Sequence, residues 1–181
     1  DLTERRFGMS AEDYKALQDR VDVVVHSAFR VDFVSSYEAV KDVNVDGTKR
    51  TLRFAAGGGG IPVLYDSTMI VSYEDEPVTE ENPLIPEEAA IGEEDEDVGS
   101  SRRFAPFGTS YLKSKWVVER LFERARKKGM EVTIFRFGTT LGSARTGFVP
   151  KRDLVWQIVA KTIEYGIAPE LDVEVGLTTA D

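Results

Sequence analysis

The sequence predicts an α/β fold built on a doubly wound parallel sheet. Three observations lead to it. Short, mostly apolar runs at 21–26, 62–67 and 131–136 read as strands buried on both faces. Helical patterns at 37–56 and 111–128 separate those runs, and such alternation calls for a parallel sheet covered by helices. Each strand also ends in small or polar residues: His26-Ser27-Ala28, Ser67-Thr68 and Arg136-Phe137-Gly138. In sheets of this kind ligands bind at the carboxyl ends of the strands.

In chain order, residues 11–20 read as a helix with Tyr14 and Leu17 on one face and Ser10 as its N-cap. The strand at 21–26 follows. The helix at 37–56 stops at the four glycines 57–60, which no helix continues through readily. After the strand at 62–67 the composition changes abruptly. Residues 74–97 hold twelve carboxylates and no basic residue, with Pro77, Pro83, Pro86 and Gly92 among them. Mutual repulsion and poor packing predict a mobile, solvated insertion over 74–108. The helix at 111–128 carries Trp116, Val117, Leu121 and Phe122 on its apolar side. The last helix, 152–165, is amphipathic through Leu154, Val155, Ile158, Val159 and Ile163.

The 181 residues suffice for one substantial core. The formal charge of −9 resides in the acidic stretch, so the remainder is net +3. That balance argues against a general nucleic-acid or anionic-membrane surface. With no cysteine there is no disulfide, thiolate zinc site or thiol nucleophile, which fits a cytoplasmic setting. A single histidine without cysteines leaves no transition-metal ligand set, and the acidic run lacks the ordered spacing of a calcium loop.

The chemistry concentrates in Tyr111-Leu112-Lys113-Ser114-Lys115. Tyr and Lys four apart share a helix face, and a hydroxyl at the end of the preceding strand can meet them. This set suits hydride transfer to a carbonyl. Tyr111 would protonate the developing alkoxide, Lys115 would stabilise the phenolate and hold a cofactor ribose, and Thr68 would hydrogen-bond the carbonyl oxygen. An unperturbed Tyr has a pKa of about 10, so a nearby ammonium is what would make it a useful acid near neutrality. Ser67 and Thr68 point to opposite faces of the strand, and one of them is an ordinary strand-end hydroxyl. His26 reads as a strand-end imidazole bonded to backbone rather than as a proton carrier.

These residues resemble the extended short-chain dehydrogenase/reductases. Within that family they are most similar to the thioester reductase domains of non-ribosomal peptide synthetases, carboxylic acid reductases and aminoadipate reductases. The likeness runs over nearly the whole chain. Asp1-Leu2 with Arg6-Phe7-Gly8-Met9-Ser10 resembles the segment after the family's third strand, where the Asp contacts adenine. The strand 23–28 resembles the next one, and Asn44-Val45-Asp46-Gly47-Thr48 resembles the Asn-Val-x-Gly-Thr helix motif. Thr68, Tyr111 and Lys115 match the catalytic triad, with Trp116 and Glu119 at their expected places.

The resemblance implies a Rossmann-like NADP-binding domain, partial over 1–142, with 143–181 opening the C-terminal substrate region. It implies NADPH as cofactor, contacted by Asp1, Leu2, Ser27, Ala28, Asn44, Lys115, Phe137, Gly138 and Thr139. Substrate contacts would come from Met69, Phe29 and Arg145. The implied partner is an acyl- or peptidyl-carrier protein with its phosphopantetheine arm, with no nucleic acid and no membrane. Two departures qualify this. The family's opening strand and glycine-rich turn are absent, so the fold is expected to be incomplete at both ends and this stretch alone to be inactive. Phe137 stands where the family usually has Pro, which frees a backbone that Pro would fix.

Other readings of single residues stay open. Asn44 would hold a water near Lys115, hold the active-site strand, or face solvent. Phe29, Phe33 and Tyr37 would line a substrate channel or pack in the core. Arg145 and Lys151 would meet a phosphate or stay solvated. For the function, a fatty acyl-CoA reductase or another extended reductase or epimerase on a free small molecule stands behind the carrier-linked reductase. A non-catalytic binding module of the same fold stands behind both; such modules usually lose the Tyr or Lys that this chain keeps.

Overall fold

The computed structural model describes residues 1–72, 110–151, 153–168, 170 and 177–181. The acidic insertion expected over 74–108 lies outside the described residues. The chain divides into two compact units, Asp1–Arg136 and Phe137–Asp181.

In the first unit, a turn at Arg5–Gly8 leads into helix α1, Ala11–Gln18. Its N-cap is Ser10, whose Oγ accepts from the Asp13 N–H at 3.0 Å. Strand β1 is short, Val24–His26, and pairs in parallel with β2, Val63–Thr68, in the register Val24↔Val63, His26↔Tyr65. The sheet order is β1-β2-β3, with β3 at Val132–Phe137. Burial of the first strand on both faces is not met. Val25, and Val23 just before the strand, are 66% and 45% exposed, because the described residues leave that face of β1 uncovered.

The helix expected at 37–56 forms with an interruption. Helix α2, Tyr37–Lys41, runs through a π turn, Asp42–Asp46, into α3, Gly47–Gly57. A π turn adds a residue to the helical repeat. Here it coincides with burial of the adjacent Asn44 and Val45, 0% and 2% exposed. The glycines end α3 as expected, with Gly59 and Gly60 at φ of 89° and 90°. Helix α4, Ser110–Lys127, begins and ends within one residue of the sequence expectation.

The core lies between α3, α4 and the sheet. Tyr65 stacks on Phe122 at 4.6 Å between ring centroids, and Val45, Phe54, Ala55, Val63 and Val118 close around them. A polar lock crosses this core. Glu119 of α4, 4% exposed, accepts from Ser67 Oγ of β2 at 2.5 Å. It also takes a forked bond from Arg136 of β3, Nε to Oε1 at 3.1 Å and Nη2 to Oε2 at 2.7 Å. One carboxylate thus ties the helix to two strands.

The second unit is smaller. Its strands β4, Thr139–Thr140, and β5, Leu177–Thr178, pair in parallel. Gly142 is required there, since a Cβ would collide with the Phe148 carbonyl oxygen. Asp153 caps helix α5, Leu154–Tyr165, by accepting from the Trp156 N–H at 3.0 Å. Gly166 ends it at φ 67°.

Removing one member of the polar lock should leave the other uncompensated. Arg136→Met is expected to cost about 3–5 kcal/mol by urea unfolding, and Arg136→Met with Glu119→Leu to recover most of it. Equal loss in the single and double variants would mean that packing, not charge pairing, is what Arg136 supplies.

Candidate functional site

The site is built where α4 crosses the end of β2. Lys115 is 5% exposed, and its Nζ donates to the Asp66 carbonyl at 2.6 Å, two residues before Thr68 on the same strand. Three aromatic rings flank the ammonium. Its Nζ lies 4.1 Å from the Phe29 ring centroid, 5.0 Å from Tyr65 and 5.9 Å from Tyr111. Burial lowers the Lys115 pKa to about 8 against the opposing charges of Asp66 and Glu119. Tyr111 sits edge-on to Phe29 and Phe33, at 6.0 and 5.4 Å between centroids.

The depressed tyrosine pKa that the Tyr/Lys pair implies is not what these surroundings produce. Burial raises the Tyr111 pKa, and the Asp66 carboxylate raises it further. The ammonium is bonded to a backbone carbonyl instead, so Tyr111 remains a protonated acid through neutral pH. The strand alternation separates the two hydroxyls as expected. Ser67 is 3% exposed and bound to Glu119, while Thr68 is half-buried at the strand end.

Asn44 belongs to this site through protein contacts and does not face solvent. Its amide donates to the Ser114 Oγ at 2.9 Å and to the Arg30 carbonyl at 3.1 Å, and its Oδ1 accepts from the Arg30 N–H at 2.8 Å. Ser114 Oγ donates in turn to the Tyr111 carbonyl at 2.7 Å. One amide therefore holds both the loop that carries Phe29 and the first turn of α4. These bonds position the loop and the helix.

His26, 3% exposed, is bonded to a side chain and not to the expected backbone. Its Nε2 lies 2.9 Å from Thr48 Oγ1, and that hydroxyl spends its one proton on the Asn44 carbonyl at 2.5 Å. The imidazole must therefore carry its proton on Nε2. Burial, then the Lys115 charge, lowers its pKa to about 4, which suits a neutral, structural ring.

Asp1, Leu2, His26 and Ala28 line one groove of about 430 Å³ with Phe7 and Phe54. Asp1, Leu2 and Ala28, three of the residues expected to contact the cofactor, thus line one space. Ser27 and Ala28 are exposed, and Met69 is 41% exposed just after β2. Phe137, Gly138, Thr139 and Arg145 belong to the second unit. There Phe137 is 52% exposed, and the Arg145 guanidinium, 85% exposed, reaches Asp181 at 3.8 Å.

Residues 1–181 match in full a family model of NAD-binding domains described as male sterility protein. The chain belongs to that family. Among relatives of this NAD-binding family, it is 34% identical to a linear gramicidin synthase of Brevibacillus parabrevis, over all 181 residues but 3% of that protein. It is 30% identical to the L-2-aminoadipate reductase large subunit of Penicillium chrysogenum, covering 13% of it. The terminal R domain from the myxalamid PKS-NRPS pathway superposes with a TM-score of 0.79 at 29% identity. That comparison spans 99% of this chain and 42% of the R domain. The resemblance to thioester reductase domains of the extended short-chain type holds, and so does the Rossmann-like fold. The chain is a small fraction of the curated relatives' length.

Sequence reasoning gave no role to Asp66, Thr48, Ser114 or Arg30. A signal existed for three of them, Thr48 standing inside the Asn-Val-x-Gly-Thr motif. Asp66 shares the strand face of Thr68 by period two, and Ser114 lies inside the Tyr/Lys motif. Arg30 contributes only backbone, which no side-chain pattern reveals.

The depressed His26 pKa has a consequence for stability. Folding keeps the ring neutral, so the stability it carries is complete above about pH 6.5 and is lost as pH falls toward about 4, by about 3 kcal/mol. Urea midpoints at pH 7, 5.5 and 4 should fall less steeply in His26→Gln than in the wild type. Parallel profiles would show that another group drives the acid loss.

Proposed function

We propose that this chain is the triad-bearing part of a reductase that releases a carrier-bound acyl or peptidyl thioester as an aldehyde at the expense of NADPH. The observation that carries the reading is the Lys115 to Asp66 bond, which brings the Tyr111/Lys115 face of α4 to the strand that ends in Thr68. The names of relatives point the same way: a gramicidin synthase, an aminoadipate reductase and a terminal R domain.

The residues present fit a dinucleotide. The groove bounded by Asp1, Leu2 and Ala28 combines apolar walls with a carboxylate, and its size is in the range of small-molecule sites. Lys115 has three N–H groups and gives one to Asp66, which leaves two for ribose hydroxyls. Asp1, Leu2, Ser27 and Ala28 would contact the cofactor from the first unit, and the family resemblance implies Phe137, Gly138 and Thr139 as its nicotinamide contacts. When bound, the nicotinamide supplies a hydride to the thioester carbonyl.

The chain's own residues manage the charge that appears on oxygen. Thr68 donates a hydrogen bond to it, and Tyr111 delivers the proton. The Lys115 ammonium offsets the charge left on the phenolate. Donors already in place where charge develops give the largest catalytic term. The resulting hemithioacetal loses its proton and expels the phosphopantetheine sulfur as a thiol, leaving the aldehyde. Phe29 and Phe33 stand edge-on against the Tyr111 ring and hold its orientation.

The test uses a full-length protein containing this chain, with an acyl-phosphopantetheine thioester, following NADPH oxidation at 340 nm. Tyr111→Phe should cut kcat by about 10²–10⁴ with little change in KM. Undiminished thioester-dependent turnover in that variant would sink the reading. The pH dependence is a second check. The reaction needs the charged form of Lys115, so kcat/KM should fall on the alkaline side with an inflection near 8 rather than near 10. An inflection that stays near 10 would remove Lys115 from the alkaline limb.

A further inference from the structure

A second cavity, of about 390 Å³, is lined by Arg5, Arg6, Arg50, Arg53 and Tyr14. Four guanidinium groups around one space repel each other unless something negative joins them. Arg50 alone is neutralised: its Nη1 and Nη2 each lie 3.1 Å from Asp42 Oδ1, and Nη1 also donates to the Leu2 carbonyl at 2.8 Å. Those bonds hold its fork in place. Among the described residues, Arg5, Arg6 and Arg53 meet no carboxylate within 4.0 Å.

Two further features are hard to explain as ordinary surface. Arg6 Nε is shut away from water with no hydrogen-bond partner. Arg6 and Phe7 also lie consecutively in the left-handed region, at φ 55° and 59°, which non-glycine residues adopt only when their surroundings compel it. The constraint is visible. The Phe7 ring is pinned 5.7 Å from both Tyr14 and Phe54, which meet each other at 5.2 Å. A packed aromatic cluster thus holds a strained turn, and the turn gathers cationic side chains that lack a counter-charge.

We propose that this cavity is an anion site for a phosphate ester. Planar guanidinium forks match the oxygens of a phosphate, and a phosphate carries more charge and more acceptors than the carboxylates the chain could have placed there. Its position favours a phosphate attached to an adenosine. Tyr14 lines the cavity while Phe7 and Phe54 of the same aromatic cluster line the groove with Asp1 and Leu2, and Arg50 is bonded to Leu2 itself. A phosphopantetheine phosphate is the other source of the same chemistry. The adenosine source rests on the cofactor reading proposed above, whereas the titration reads binding alone.

The experiment is calorimetric titration of a full-length protein containing this chain with inorganic phosphate, 2′-AMP and 4′-phosphopantetheine, in low and high salt. Saturable phosphate binding is expected, weakened by salt and by about tenfold in Arg53→Gln, the loss of one charge-assisted contact. Arg53 is exposed, so this variant should keep its thermal unfolding midpoint. Arg6→Gln provides an independent second variant. Tighter binding of 2′-AMP than of phosphate supports the adenosine source, and tighter binding of 4′-phosphopantetheine supports the site with the other source. Absence of saturable binding, or equal affinity in the wild type and both variants, would overturn the proposal. So would Arg53-dependent binding of an acidic peptide but of no phosphate, which would make the patch a protein-docking surface.

Discussion

The Glu119 carboxylate is the interaction on which the rest of the first unit depends. It accepts from Ser67 on one strand and from Arg136 on the next, from inside the core, at 4% exposure. A buried carboxylate without partners would be prohibitive, so its bonds fix the axial position of α4 against the sheet. Lys115 lies one helical turn before Glu119 and Tyr111 one turn before that, on the same face. Locating Glu119 therefore locates Lys115 and Tyr111. The stacked Tyr65 and Phe122 beside it supply the apolar burial that the charge pair cannot.

A second polar seam sets the first turn of the same helix. The π turn at Asp42–Asp46 brings Asn44 inward, where its amide bridges the Arg30 backbone and Ser114. Single π turns inside helices often mark functional positions. Here the gain is mechanical: the loop bearing Phe29 and the carbonyl of Tyr111 are tied to one side chain. Thr48 and His26 extend the seam to the end of β1, so one run of hydrogen bonds links strand, helix and loop.

The cost of this arrangement falls on Lys115. Burying an ammonium among three rings with one carbonyl acceptor opposes its charge, which is why its pKa descends to about 8. The site keeps a group that would be more comfortable in water. Functional sites are where such costs are retained, because a dry, oriented charge acts more strongly on its neighbours than a solvated one. Tyr111 shows the same logic with opposite sign. Burial and the Asp66 charge raise its pKa and keep the hydroxyl protonated.

Much of this was legible in the sequence. The alternation of strands and helices, the glycine stop after α3, the Ser10 cap, and the separation of Ser67 from Thr68 all follow from local periodicity and backbone preference. Such features are written in neighbours a few residues apart, so one chain read alone displays them. The tertiary structure decided the rest. That Glu119 shares its carboxylate with Ser67 and Arg136, that Asn44 is spent on Arg30 and Ser114, and that Lys115 faces Asp66 and Phe29 are contacts between segments far apart in the chain. Their energies depend on burial and on which partner fills each vacant hydrogen bond. Neither is a property of local sequence, and both arise only when distant segments close around one another.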